Sequence, residues 1–141
     1  MAACYFPLDM TLYQSPEASL TFNPISETLH LSYNATRLSL SFGQAYQRAL
    51  EEMLAQNIGK LLLDIKRNAP PTDDLEQLLR PLAQAVAQQP DQPLFIAAVV
   101  SEGQYQYQIG NSLASTTLPP AQVEFNYFTS RRDAAHWLSE N

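Results

Sequence analysis

The spacing of the apolar residues changes along this chain, and that change restricts the folds open to it. From residue 18 to residue 33 apolar and polar residues alternate. Leu20 and Phe22 stand between polar neighbours, and Leu29, Leu31 and Tyr33 interleave with Thr28, His30 and Ser32. A period of two marks strands with one buried face, and Asn23-Pro24 between the runs supplies a turn, so an antiparallel hairpin is predicted. Further on, residues 60–65 (KLLLDI) and 94–100 (LFIAAVV) are short and continuously apolar. Strands buried on both faces read this way. Residues 124–128, flanked by Val123, form a third candidate of the same kind.

Helical periodicity separates these strands. Phe42, Ala45, Tyr46, Ala49, Leu50, Met53 and Leu54 recur at three and four residues, which places them on one stripe of a helix. Ser41 with Gln44 fits a capping box, and Asn57 and Gly59 supply a stop, since both tolerate a left-handed C-cap. A second helix is predicted from Asp73, with Leu75, Leu78, Leu79, Leu82 and Val86 as its stripe and a kink at Pro81. A last one follows Ser130 as cap, with Ala134, Ala135, Trp137 and Leu138 on its apolar side. Residues 104–115 (QYQYQIGNSLAS) fit both a strand and a helix. Residues 1–15 read as an arm or an extra edge strand.

The order is therefore β-β-α-β-α-β-(α)-β-α. It implies a single α/β domain over residues 1–141, built on a mixed, mostly parallel sheet of four to five strands. An antiparallel N-terminal hairpin lies at one edge, and about four helices flank the sheet. The 141 residues suffice for one core without staples.

Composition removes several classes of function. Eight Lys and Arg stand against 14 Asp and Glu, a net charge of −6 that argues against a nucleic-acid partner. One cysteine, Cys4, excludes an intramolecular disulfide and a cysteine zinc site. His30 and His136 have no ligand-type neighbour at metal-binding spacing, so no metal and no cofactor is expected. No basic start precedes a long apolar run and no stretch is long enough to span a bilayer, so a cytoplasmic protein without stable membrane insertion is expected.

Three local features carry a family resemblance. The hairpin runs straight into a long helix over residues 41–56. An apolar strand ends in an acid and then basic residues, Leu61-Leu62-Leu63-Asp64-Ile65-Lys66-Arg67. An aromatic strand end, Tyr127-Phe128-Thr129-Ser130, precedes a helix closing on Ala134-Ala135-His136-Trp137-Leu138. In this order they resemble the SpoIIAA-like (STAS) superfamily of bacterial regulatory domains, and more closely the small stand-alone STAS-like proteins of Bacteroidetes. The resemblance covers most of the chain after about residue 15. It implies a mixed sheet flanked by helices and a binding role. Regulatory members carry a phosphorylatable Ser in an Asp-Ser-Gly turn. Here Asn68-Ala69-Pro70-Pro71-Thr72-Asp73-Asp74 replaces it, and Thr72 is the nearest hydroxyl. A phosphoryl group on Thr72 would face Asp73 and Asp74, and like charges oppose it.

The candidate contact residues collect where parallel strands end. In open α/β sheets ligands bind beyond the carboxyl ends of the strands. That rim comprises Asp64, Lys66, Arg67 and Asn68 after one strand, and Ser101, Glu102 and Gly103 after the next. Asp64 needs a partner if it is buried, and Lys66, Arg67 or a helix N-terminus would serve. Arg131 and Arg132 oppose the dipole of the last helix, and a solvated pair is their ordinary reading. No nucleophile elbow, P-loop or dinucleotide fingerprint occurs.

These residues lead to a non-enzymatic STAS-like domain, a regulatory or protein-interaction module that binds a protein partner or itself. A homodimer would cover apolar N-terminal surface. The alternative is a small-molecule or lipid carrier of CRAL-TRIO-like layout, which needs an apolar pocket between helices and sheet. An enzyme would need His30 or His136 beside Asp64 in a cleft.

Overall fold

The alternating segment forms the expected antiparallel hairpin, and one more strand ahead of it extends the hairpin to a three-stranded meander. The structure is a computed structural model that describes residues 10–34, 40–66, 93–103, 105–106 and 123–141. Its first strand, β1 (Met10–Gln14), pairs antiparallel with β2 (Ala18–Asn23), which pairs antiparallel with β3 (Thr28–Tyr33). Residues 10–14 are thus the extra edge strand and not an arm. The register slips between Thr11 and Tyr13, a bulge that also hides the period of two in this stretch.

Chemistry at the β2–β3 turn explains its shape. The Asn23 side-chain oxygen accepts from the backbone N–H of Ile25 (2.9 Å) and Ser26 (3.2 Å), an Asx turn that Pro24 pre-sets. Glu27 completes the loop in the left-handed region at φ 55°.

Helix α1 (Leu40–Gln56) follows. It begins at Leu40, so Ser41 lies inside the first turn and is not the cap the sequence suggested. Its end matches the expected stop through Asn57 alone, which sits at φ 57°. The Ile58 N–H reaches back to the Met53 carbonyl at 2.8 Å, the long bond of a Schellman motif, and Ile58 and Met53 are both buried in one cluster. No glycine among the described residues has positive φ, so Gly59 takes no part in the stop.

Three further strands are parallel: β4 (Lys60–Asp64), β5 (Leu94–Val99) and β6 (Val123–Phe128). The sheet has six strands in the order β1-β2-β3-β4-β5-β6, parallel from β3 onward. The expectation of four to five strands falls short because the bulged β1 had no readable period. Helix α2 (Arg131–Ser139) closes the described chain, capped by the Ser130 hydroxyl, which accepts from the Asp133 N–H at 3.1 Å. Among the described residues these are the two helices. The predicted helix from Asp73 lies outside them, as does most of residues 104–115. Tyr105 and Gln106 have helical backbone, and the Tyr105 N–H bonds to the Ser101 carbonyl at 2.8 Å.

The two helices cover opposite faces and different halves of the sheet. Helix α1 packs on β2, β3 and β4, and α2 packs on β4, β5 and β6. The α1 face carries the larger core: Leu20, Leu29, Leu31, Leu61, Leu63 and Ile96 meet Phe42, Tyr46, Ala49 and Leu50, all fully buried. The α2 face carries Leu62, Ala97 and Val99 against Ala134 and Leu138. Trp137 adds edge and tilted ring contacts to Phe95 and Phe128, with both centroid distances 5.9 Å. This staggered cover accounts for the sequence pattern. Strands β4 and β5 bury both faces and are continuously apolar, whereas β2 and β3 bury the α1 face and alternate. Opposite α1, β2 and β3 present Ser19, Thr21, Thr28, His30 and Ser32, all half-buried.

Candidate functional site

Two regions on the α2 side of the sheet bring chemistry together. The first is the rim at the carboxyl ends of the parallel strands. Asp64 is the last residue of β4, paired in register with Ser32 on β3 and Val99 on β5. Its position in the strand turns the carboxylate to the α2 side, where a continuously apolar strand has run out of cover. The first residue of α2 meets it. Arg131 Nε donates to Asp64 Oδ2 at 2.5 Å, and Arg131 Nη2 donates to Ser32 Oγ at 3.2 Å. The other carboxylate oxygen, Oδ1, accepts from the Lys66 backbone N–H at 3.1 Å. The Asp64 side chain is 17 % exposed and that of Arg131 56 %.

This brace spans β3, β4 and α2. It also explains why a cation stands at a helix N-terminus. The dipole disfavours Arg131 there, and a carboxylate offsets that cost. Asp64 thus finds a partner 67 residues along the chain. Lys66 engages it through its backbone N–H. The misplaced arginine was the sequence signal for a distant acid.

A half-exposed ion pair contributes little on its own. A double-mutant cycle of Asp64→Ala and Arg131→Ala, read by urea unfolding, is expected to give a coupling of about 0.5–1 kcal/mol that shrinks in high salt. A coupling indistinguishable from zero at low salt would mean that the pair does not tie α2 to the sheet.

Of the remaining rim residues, Lys66 and Glu102 are exposed and Ser101 is half-buried just beyond β5. Arg67 and Thr72 lie outside the described residues. Arg132 and Asp133 stand exposed on the first turn of α2.

The second region is a cleft of about 370 Å³ between α2 and the β2–β3 turn. Thr28, His30 and Leu62 line it from the sheet, and Ala135, Leu138 and Ser139 line it from α2. Lys60 and Arg131 line it as well, with Asn23 and Ser26 from the turn. Lys60 opens β4 and Arg131 faces the end of that strand, so the two cations bracket the length of β4. The cleft exists because α2 stops at β4. Ala135 and Ser139 are exposed while Ala134 and Leu138 are buried, so the side of α2 nearer the hairpin has no sheet beneath it. His30 is half-buried here, with Nε2 buried. A neighbouring cleft of about 540 Å³ lies at the amino ends of the parallel strands, and Lys60 borders both. Both clefts escaped the sequence reading, because which side chains share a cleft depends on where α2 lands.

His136 sits apart, exposed on α2 with Nε2 3.2 Å from Glu140 Oε2. Among the described residues no group of three or more His, Cys, Asp or Glu is placed to hold a metal ion, and no helix is long and apolar enough to cross a membrane. Between α1 and the sheet, the Phe42 ring packs edge-on to Tyr33 at 5.0 Å and stacks on Tyr46 at 5.8 Å. These rings occupy the space between α1 and the hairpin strands.

Comparison with known proteins adds no relative: no family model, curated protein or solved structure matches this chain.

Proposed function

We propose that this chain is a non-enzymatic binding module of SpoIIAA-like (STAS-like) build, which contacts a protein partner through the rim at the carboxyl ends of β4 and β5. The observation that carries this reading is the state of Asp64. Both of its oxygens are engaged, one by the Lys66 N–H and one by Arg131. A general base needs an oxygen within reach of a substrate proton. Here the acid best placed for chemistry acts as a brace. Around it Lys66, Glu102, Arg132 and Asp133 are exposed with mixed sign, the kind of polar surface that orients a protein partner by charge complementarity. The build rests on the features that carry the resemblance: a hairpin leading into α1, a β4 that ends in an acid, and the aromatic end of β6 leading into α2. The carrier alternative needs an apolar pocket between helices and sheet; where α1 meets the end of β3, the described residues place the packed rings of Tyr33, Phe42 and Tyr46 instead.

The test starts with capture from the native host, using wild type and a Lys66→Glu/Glu102→Lys variant. The captured protein is then purified and titrated by calorimetry. A saturable complex that the charge-reversed variant weakens at least tenfold is expected. A partner bound equally well by both proteins would overturn the rim as the contact surface. Light scattering on the same preparations reads whether that partner is a second copy of the chain.

A further inference from the structure

The net charge of this chain is −6, yet none of the described residues lining the 370 Å³ cleft beside α2 is acidic. Two of the chain's eight basic residues do line it, Lys60 and Arg131. Arg131 is balanced by Asp64. Lys60 is not balanced: among the described residues no ion pair involves its ammonium, and Glu27, which borders the neighbouring cleft with it, makes none with it. The polar groups between the cations are hydroxyls and an imidazole, from Thr28, Ser139 and His30. One wall is apolar, formed by Leu62, Ala135 and Leu138. A concave site of one sign with low-dielectric walls concentrates ions of the other sign. Pockets that pair apolar walls with a few polar groups hold small organic molecules.

We propose that this cleft binds a small organic anion, with its carboxylate or phosphate at Lys60 and its apolar body against Leu62, Ala135 and Leu138. The cleft shares Arg131 with the brace, but the anion's contact, Lys60, stands at the opposite end of β4 from the rim, and the proposal does not rest on the partner reading. Lys60 fits the role by its position. It is the first residue of β4, its neighbours Leu61 to Leu63 are buried, and it turns to the same side as Leu62 and Asp64. Among the described residues this charge at the start of an otherwise apolar strand has no ion-pair partner, and an anion would supply one. The hydroxyls of Thr28 and Ser139 donate to the Ser26 and His136 carbonyls at 3.1 Å and 2.7 Å, so the charged contact to the anion falls to the ammonium of Lys60, a stronger donor than a neutral group.

The experiment titrates the intact chain with hexanoate, hexyl phosphate and the neutral hexanamide, followed by amide chemical shifts in NMR. Hexanoate or hexyl phosphate is expected to bind with Kd of about 1 mM or tighter. The shifts should concentrate at Thr28, His30, Lys60, Leu62, Ala135 and Ser139. The stronger of the two anions identifies the head group. Lys60→Gln should weaken binding at least tenfold and Lys60→Glu should abolish it, while Lys66→Gln on the rim leaves it unchanged. Lys60→Gln keeps a hydrogen-bonding side chain of similar length, and its amide spectrum verifies the fold. Hexanamide binding as well as the anions, shifts located elsewhere, or unchanged affinity in Lys60→Gln would each overturn the proposal. None of these outcomes bears on the rim, and loss of partner binding there leaves this site standing.

Discussion

Phe42→Ala is expected to cost about 3–5 kcal/mol. Phe42 is fully buried in the first turns of α1. It touches the ring of Tyr33 at the end of β3 and the ring of Tyr46 one turn along the helix. Its removal leaves a cavity between rigid neighbours and forfeits two aromatic contacts, each worth about 0.5–1.5 kcal/mol beyond buried area. Domains of this size hold about 5–15 kcal/mol in total, so the variant would be marginal. Trp137 is the only tryptophan and sits on α2, far along the chain from the mutation, so its fluorescence reports unfolding without being altered directly. In urea the midpoint should fall by about 2 M with the slope unchanged, given slopes of about 1–3 kcal/mol per M. Phe42→Leu, which keeps most of the volume, should lose less than about 1.5 kcal/mol. A midpoint for Phe42→Ala within about 0.3 M of wild type would show that α1 is not held by this cluster.

Trp137→Ala is expected to cost about 2–4 kcal/mol, and its effect should be local. Trp137 is half-buried, and its ring bridges Phe95 on β5 and Phe128 on β6. Together with Ala134 and Leu138 it is what holds α2 on the sheet. The larger core on the α1 face shares none of these side chains. Hydrogen exchange is therefore expected to accelerate in Arg131–Ser139 and to stay slow in Leu40–Gln56. The consequence reaches both functional regions. Arg131 enters the brace with Asp64 from α2, and Ala135, Leu138 and Ser139 wall the cleft. Loosening α2 should weaken the cleft's anion binding without any change to Lys60. Uniform acceleration across both helices would show that the two faces unfold as one unit.

Several elements of the candidate site were legible in the sequence and others were not, for reasons that residues make plain. Asp64 stood out as a charge ending an apolar strand, and it does lie at the rim. Its partner did not stand out, because Arg131 is 67 residues away and only the docking of α2 brings them together. Arg131 did carry a warning, being a cation where the helix dipole disfavours one. Lys60 and His30 carried no such warning. Each is a polar residue at a position where a half-covered sheet tolerates one, and only the landing place of α2 puts them in one cleft.

What the sequence by itself determined follows from local periodicity and capping. The alternation over residues 18–33 required strands with one dry face. The stripe of Phe42, Ala45, Tyr46, Ala49, Leu50 and Met53 required a helix, and Asn57 its end. Ser130 required the start of α2. Each of these depends on side chains within a few residues of one another, so each is written locally. The tertiary structure alone decided that β1 pairs despite its bulge, because a strand is completed by its partner's hydrogen bonds and not by its own period. It also decided that α1 and α2 cover opposite faces and different halves of the sheet. That stagger leaves the polar side of β3 open beside α2. The brace and the cleft both lie along this boundary, where β3 turns its polar residues toward a helix that ends at β4.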